Sequence, residues 1–238
     1  MMSFAEFLSG LDWSPLWISL KTGIVATVIS FFLGIWLARL SMTAGRVGKA
    51  VLDGLLTLPM VLPPTAMGFF LLLLFSRRRP VGIFLEQYLG IRVVQTWLGC
   101  IIAATVIAFP LMYRNARAAF EQVDINMIYA AQTLGMPEGR IFRRVILPAA
   151  KPGIASGTIL AFSRALGEYG ATSMLAGNIP GKTGTISQRI AMVIQDGDYQ
   201  AAGFWTLLVV IVAFVLIFAL NIISSRHQRK NGTVRWKR

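Results

Sequence analysis

The sequence predicts an all-α, polytopic membrane helix bundle. Three observations carry that expectation: 55% of the 238 residues are apolar, only 14% are charged, and the mean hydropathy is +0.65. A soluble domain normally carries about 25% charged residues, so this chain has too few charges to cover a water-facing surface. Five apolar stretches reach the roughly 20 residues that a hydrocarbon core about 30 Å thick requires. They are residues 18–40, 51–75, 96–113, 153–176 and 203–223, and they make residues 1–238 one transmembrane domain with a long loop at 114–152.

The first span carries Lys21 and Arg39 near its ends, where long side chains reach the interface, so neither needs a special role. Asp53, at the start of the second span, is read in the same way. The N-terminus holds Glu6 and Asp12, has no basic n-region and offers no small-residue cleavage site, so the first span is expected to remain in the mature protein. Pro59, Pro63 and Pro64 interrupt the second span, each removing a backbone donor and clashing with the preceding turn. Irregular backbone at membrane depth is tolerated where it is buried in protein or lines water, so the kink belongs either to packing or to a path.

In the fourth span, Gly153 and Gly157 allow close helix approach. Arg164 and Glu168 sit four apart on one predicted helix face. A charge at the centre of a span costs about 2.5–3.5 kcal/mol on insertion scales, which pairing offsets in part, so both must face a protein interior or a wet cavity. They serve either as an internal packing pair or as lining of a translocation path or gate.

Cys100 is the only cysteine and His227 the only histidine, which excludes an intrachain disulfide and a Cys/His zinc site. No metal and no cofactor is expected. A Ser/His/Asp triad would have to use His227, which lies in a basic tail.

An odd number of spans puts the termini on opposite sides. One set of flanking segments (39–49, 114–151 and 226–238) holds fifteen basic residues; the other (77–92 and 182–189) holds six. Cytoplasmic segments collect Lys and Arg, so the N-terminus is expected outside and the C-terminus in the cytoplasm. The net charge of +13 then reports topology and contact with anionic lipid. Nucleic acid is not an expected partner, because the basic residues are split among loops without interleaved aromatics.

The loop 114–152 is too long to be a plain connection. Asp124 is placed as an N-cap, 125–134 reads as a short helix with Ile125, Ile128 and Leu134 on one stripe, and Gly135 suits a left-handed residue that ends it. Pro137 suits the first turn of a second helix. Residues 125–135 contain no basic residue, so the helix is a poor match to a membrane surface and a better one to a protein cleft, with Ala130 and Ala131 allowing close approach.

The run Tyr129, Ala130, Ala131, then Gly135, Val145, Leu147 and Pro148 resembles the loop signature of binding-protein-dependent ABC importer permeases. Tyr129 stands where that family usually has Glu, and Val145 where it usually has Ile. The resemblance implies that the loop is a cytoplasmic coupling helix seated in an ATPase subunit. Further runs are similar to the molybdate branch of the family: 58–64 with its paired prolines, 162–172 with Gly167-Glu168-Tyr169-Gly170, and 177–183. Sulfate and thiosulfate permeases share the last two runs and generally lack the paired prolines.

The resemblance implies two ATPase copies, an extracytoplasmic molybdate-binding protein, the bacterial cytoplasmic (inner) membrane, and molybdate or tungstate carried by alternating access. Sulfate or thiosulfate is the alternative cargo. Hydrolysis would then reside on the separate ATPase and not on this chain. Five helices do not readily enclose a path for a solvated oxyanion, so a homodimer is expected. Arg77, Arg78 and Arg79 break the positive-inside trend and read either as a solvated edge or as a docking patch for the binding protein.

Two other classes fit the sequence less well. Residues 176–183 satisfy a relaxed phosphate-loop pattern, but an apolar helix precedes them and Pro180 removes one cradle amide, so a nucleotide-using enzyme is disfavoured. A passive channel would not need the docking loop.

Overall fold

The computed structural model describes residues 11–229, with side chains up to Ile222; Glu6, the His227 side chain and the basic side chains from Arg226 onward lie outside what it describes. No β-strand occurs among the described residues. Among the described residues three helices are long and apolar enough to cross a membrane: α1 (Ser14–Thr43), α5 (Trp97–Glu121) and α12 (Tyr199–Arg229), the last over Tyr199–Ile222. Ahead of α1, the Asp12 carboxylate accepts hydrogen bonds from the Ser14 N–H at 2.9 Å and the Ser14 hydroxyl at 2.7 Å, and these hold its carboxyl below the usual carboxylate range. That contribution to stability is present above the ordinary carboxylate pKa and fades as pH falls below it.

The second and fourth predicted spans are not single helices. The second is α2 (Arg46–Val61) and α3 (Pro64–Phe75), separated at Leu62 and Pro63. Leu62 is extended (φ −72°, ψ 141°), as a residue before proline prefers, and Pro64 occupies the first turn of α3, where its missing N–H costs nothing. Pro59, by contrast, stays inside α2. In the fourth, α9 (Lys151–Leu166) stops before Gly167, and α10 (Gly170–Ala176) begins after Tyr169 (φ −127°, ψ −54°). The continuous helix expected over 153–176 is therefore corrected to two. Upstream, the helical segment Glu138–Ala149 bends by 70° into α9, and counting each bent pair as one span brings the total to as many as five.

The chain divides into two compact units. One comprises residues 11–25, Pro63–Ala104 and Leu166–Val209; the other comprises Ala26–Leu62, Thr105–Ala165 and residues 210–229. In the first unit α3 and α10 meet with almost no gap: a Cβ at Gly68 would lie 2.6 Å from the Ala171 Cα, and one at Gly170 would lie 3.0 Å from the Pro64 Cβ. Long-range bonds tie this unit together, among them Trp97 Nε1–H to the Thr22 hydroxyl at 2.9 Å, Ile186 N–H to the Ser19 hydroxyl at 2.8 Å and Gln95 N–H to the Leu175 carbonyl at 3.1 Å. Trp205, fully buried, stands edge-on to Trp13.

In the second unit α5 is the centre. A Cβ at Gly34 of α1 would lie 2.7 Å from Met112 Cγ, one at Gly153 of α9 2.5 Å from Ala119 Cβ, and one at Gly157 2.7 Å from Asn115 Cβ. The glycine pair thus does what its spacing predicted: it lets α9 approach α5 more closely than any larger residue would allow.

Candidate functional site

Within the long loop, α6 (Ile125–Thr133) starts at Asp124, whose Oδ1 accepts from the Asn126 N–H at 2.9 Å. It ends at Gly135 (φ +73°), with Gly135 N–H on the Gln132 carbonyl and Met136 N–H on the Ala131 carbonyl. That bond pattern needs a left-handed residue, which glycine adopts at no steric cost. Pro137 is the N-cap of α7 (Glu138–Ile141) and not in its first turn.

The chain then forms a π-helical turn, Phe142–Ile146, that carries Val145, followed by the short helix α8 (Leu147–Ala149) with Leu147 and Pro148. Proline has no N–H for an ordinary helical bond, and the wider turn just before Pro148 accommodates the break in the ladder. Phe142 fixes this turn by standing edge-on to Phe120, with the Arg39 guanidinium 4.4 Å over its ring.

Ala130 and Ala131 do not share a face. Ala131 is buried within the loop at 5% exposure, while Ala130, Tyr129 and Leu134 face outward, Leu134 at 80%. Ala131 therefore supports α6 from beneath, and the surface free for a partner is Tyr129, Ala130 and Leu134, with Ile125 half exposed and Ile128 partly covered.

The first unit brings Pro63 and Pro64 to the second helix break. Pro64 lies against Gly170, two residues after Glu168. Glu168 is buried, and its Oε1 accepts from the Ala171 N–H at 2.7 Å, so the carboxylate caps α10. Arg164 stands partly buried in the last turn of α9, where a cation suits the helix C-terminus. The expectation that Arg164 and Glu168 occupy successive turns of one helix is corrected by the end of α9 at Leu166.

Arg77, Arg78 and Arg79 are all exposed. They precede α4 (Pro80–Leu89), a helix the span pattern did not reveal, although Pro80 and Gly90 (φ +64°) mark its ends. Glu86 on α4 pairs with Arg77 at 3.1 Å and with Arg92 at 2.8 Å. The phosphate-loop resemblance at 176–183 does not form a cradle: the amides of Lys182, Thr183 and Gly184 all donate to the Ile179 carbonyl.

Sequence reasoning also missed α11 (Ile186–Gln195), although Thr185 and Gln188 stand at capping-box spacing and the Thr185 N–H donates to Gln188 Oε1 at 2.8 Å. It missed as well a polar cluster on α2 and α5. Lys49 meets Glu121 at 2.6 Å, Arg117 meets Glu121 at 3.0 Å, and Asp53 accepts from both Tyr113 and Arg117. The signal was present in the i, i+4 spacing of Lys49 with Asp53 and of Tyr113, Arg117 and Glu121.

Residues 30–231 match the family described as binding-protein-dependent transport system inner membrane component. The molybdenum transport system permease protein ModB of Escherichia coli K12 is 40% identical over 213 residues, which cover 90% of this chain and 93% of that protein. The protein of the same name from Haemophilus influenzae is 34% identical, covering 93% and 97%. The sulfate transport system permease protein CysT of Salmonella typhimurium is 32% identical, covering 94% and 85%. Among solved structures, inward-facing MetNI methionine ABC transporter has a TM-score of 0.72 at 18% identity, over 95% of this chain and 99% of that one, a likeness of fold. On the extent of these matches and the helical fold, the chain belongs to the family of binding-protein-dependent transport system inner membrane components.

Proposed function

We propose that this chain is the permease subunit of an ATP-driven importer that carries molybdate, or its close analogue tungstate, across the bacterial inner membrane by alternating access. One observation carries the cargo: the match to molybdenum permeases extends over nine-tenths of the chain at 40% identity, against 32% for the sulfate permease. The substrate is not separable by charge, because molybdate, tungstate and sulfate are all tetrahedral dianions. Sulfate remains the second reading, favoured by the 94% coverage of the match to CysT.

Deletion of the gene, followed by growth under molybdenum limitation and sulfate limitation separately, tests the cargo. Loss of molybdoenzyme activity that excess molybdate restores is the expected result. A sulfur auxotroph with normal molybdoenzymes would replace molybdate by sulfate.

In this reading a homodimer encloses the path, two ATPase subunits receive the loop, and an extracytoplasmic binding protein delivers the anion. Tyr129, Ala130 and Leu134 are the docking face; Ala131, Gly135, Val145, Leu147 and Pro148 hold it in shape. Arg78 and Arg79, which have no ion pair with a carboxylate among the described residues, are the part of the arginine run available to an acidic binding-protein rim. Pro63, Pro64, Arg164 and Glu168 belong to the path or its gate. A path of this kind needs weak binding, since a deep positive well would retain a dianion.

The charge asymmetry supports an orientation with the N-terminus outside and the loop 114–152 in the cytoplasm. Single cysteines at Ser76 and Gly184 in a Cys100→Ala background are expected to react with an impermeant maleimide in intact cells, and one at Gly139 is not. Labelling at Gly139 from outside would invert the orientation.

A further inference from the structure

Helix α2 is attached to its unit differently from its neighbours. Helices α1 and α9 are sunk into α5 at Gly34, Gly153 and Gly157, where side chains of α5 already fill the space a Cβ would take. Close-packed contacts of that kind are lost outright when the surfaces part. Helix α2, in contrast, buries none of its residues. Val47, Val51, Leu55 and Leu58 along one side of it are exposed. The bonds that tie it to α5 are polar, Lys49 Nζ to Glu121 Oε1 at 2.6 Å and the Asp53 carboxylate to the Tyr113 hydroxyl and the Arg117 guanidinium, and the apolar residues on the same face, Leu52 and Leu56, are only partly buried.

Glu121 also accepts from Arg117 at 3.0 Å, so two cations and two carboxylates form one closed, electrically neutral cluster. The four charged side chains keep between 23% and 41% exposure. At that exposure water can replace each partner, and ion pairs are individually weak. Neutrality means that parting the two helices leaves no net charge stranded on the cluster. At its other end α2 stops at Val61, where Leu62 and Pro63 leave the helix and can absorb a rotation without breaking helical bonds.

We propose that Lys49, Asp53, Arg117 and Glu121 are positioning residues of the transport cycle: a clamp by which α5 holds α2, and which opens when the transporter changes state. The inference rests on the reading of the chain as an alternating-access permease and adds to it the moving element. Helices α1, α5 and α9 stay together as one packed group, and α2 separates from them.

The test uses the full complex of permease, ATPase and binding protein in lipid vesicles, in a Cys100→Ala background. Cysteines replace Lys49 and Glu121 and are joined by a bifunctional thiol reagent cleavable with dithiothreitol. Linking is expected to lower ATP hydrolysis by the loaded complex about tenfold or more, with recovery on reduction. Hydrolysis within about twofold of the unlinked sample would overturn the clamp, since a permanently closed contact tolerates a tether.

A second pair, Gly48→Cys with Gln122→Cys, leaves all four charges in place and carries spin labels. The distance between them is expected to grow by about 5 Å between the nucleotide-free and vanadate-trapped states. An unchanged distance would overturn the proposal. ATP hydrolysis and spin distance report the cycle whatever the cargo, so a failure of molybdate uptake with a responsive clamp would count against the substrate alone.

Discussion

Leu134→Asp is expected to abolish most of the stimulation of ATP hydrolysis by the loaded binding protein while leaving the permease folded. Leu134 is 80% exposed, so the substitution takes little from the packing of the loop. In the docked complex the same position would bury a carboxylate in an apolar cleft, which costs several kcal/mol and corresponds to a loss of stimulation of about tenfold or more.

Gly135→Val acts on the same step from the other side. It forces a β-branched residue into the left-handed region at φ +73°, costs about 1–2 kcal/mol, and removes the bonds that close the end of α6. Ala131→Trp serves as a contrast: because Ala131 points into the loop, its effect is expected on loop stability and not on the docking face itself. ATP hydrolysis of the reconstituted complex, measured with and without loaded binding protein, checks all three. Full stimulation in both Leu134→Asp and Gly135→Val would remove the coupling role from this loop.

The second large effect is expected where the two helix breaks meet. Glu168→Ala removes the acceptor of a buried N–H, that of Ala171, and an unsatisfied buried amide costs about 1–3 kcal/mol. Because α10 packs on α3 at Pro64, freeing its first turn is expected to lower anion uptake about tenfold or more. Glu168→Gln keeps an acceptor oxygen at the cap and is expected to retain most of the uptake. Gly68→Leu acts at the same contact by overfilling it, since the atoms in its way are Ala171 Cα and carbonyl oxygen, which belong to the backbone and cannot rotate aside. Overpacking of that kind costs about 1–3 kcal/mol. Uptake from vesicles, with the amount of folded protein measured separately by size-exclusion chromatography, checks these variants. Wild-type uptake by Glu168→Ala would take the break out of the mechanism, and equal loss in the Gln and Ala variants would assign its role to charge instead of capping.

Hydropathy alone determined the class of this protein and the approximate position of its long helices, because the bilayer demands a run of apolar residues that few other constraints produce. The ends of α6 were also legible, at Asp124 and Gly135, since caps and left-handed turns depend on one or two neighbouring residues. What the sequence left open depended on contacts between distant segments. The apolar stretch resumes at Ala171 after only Gly167-Glu168-Tyr169-Gly170, so averaged hydropathy did not show that the helix stops at Leu166; the closure of α10 against Gly68 and Pro64 and the Glu168 cap decide it. The two alanines of the loop look equivalent in sequence, and only the fold of α7 and the π-helical turn sends Ala131 inward and Ala130 outward. Asp53 reads as an ordinary charge near a span end, and its place in a cluster with Tyr113, Arg117 and Glu121, 60 or more positions away, required α2 and α5 to be brought side by side. Local chemistry is written in spacing along the chain; the partners of a polar side chain at the edge of a membrane are set by which helices pack, and that is a property of the tertiary structure.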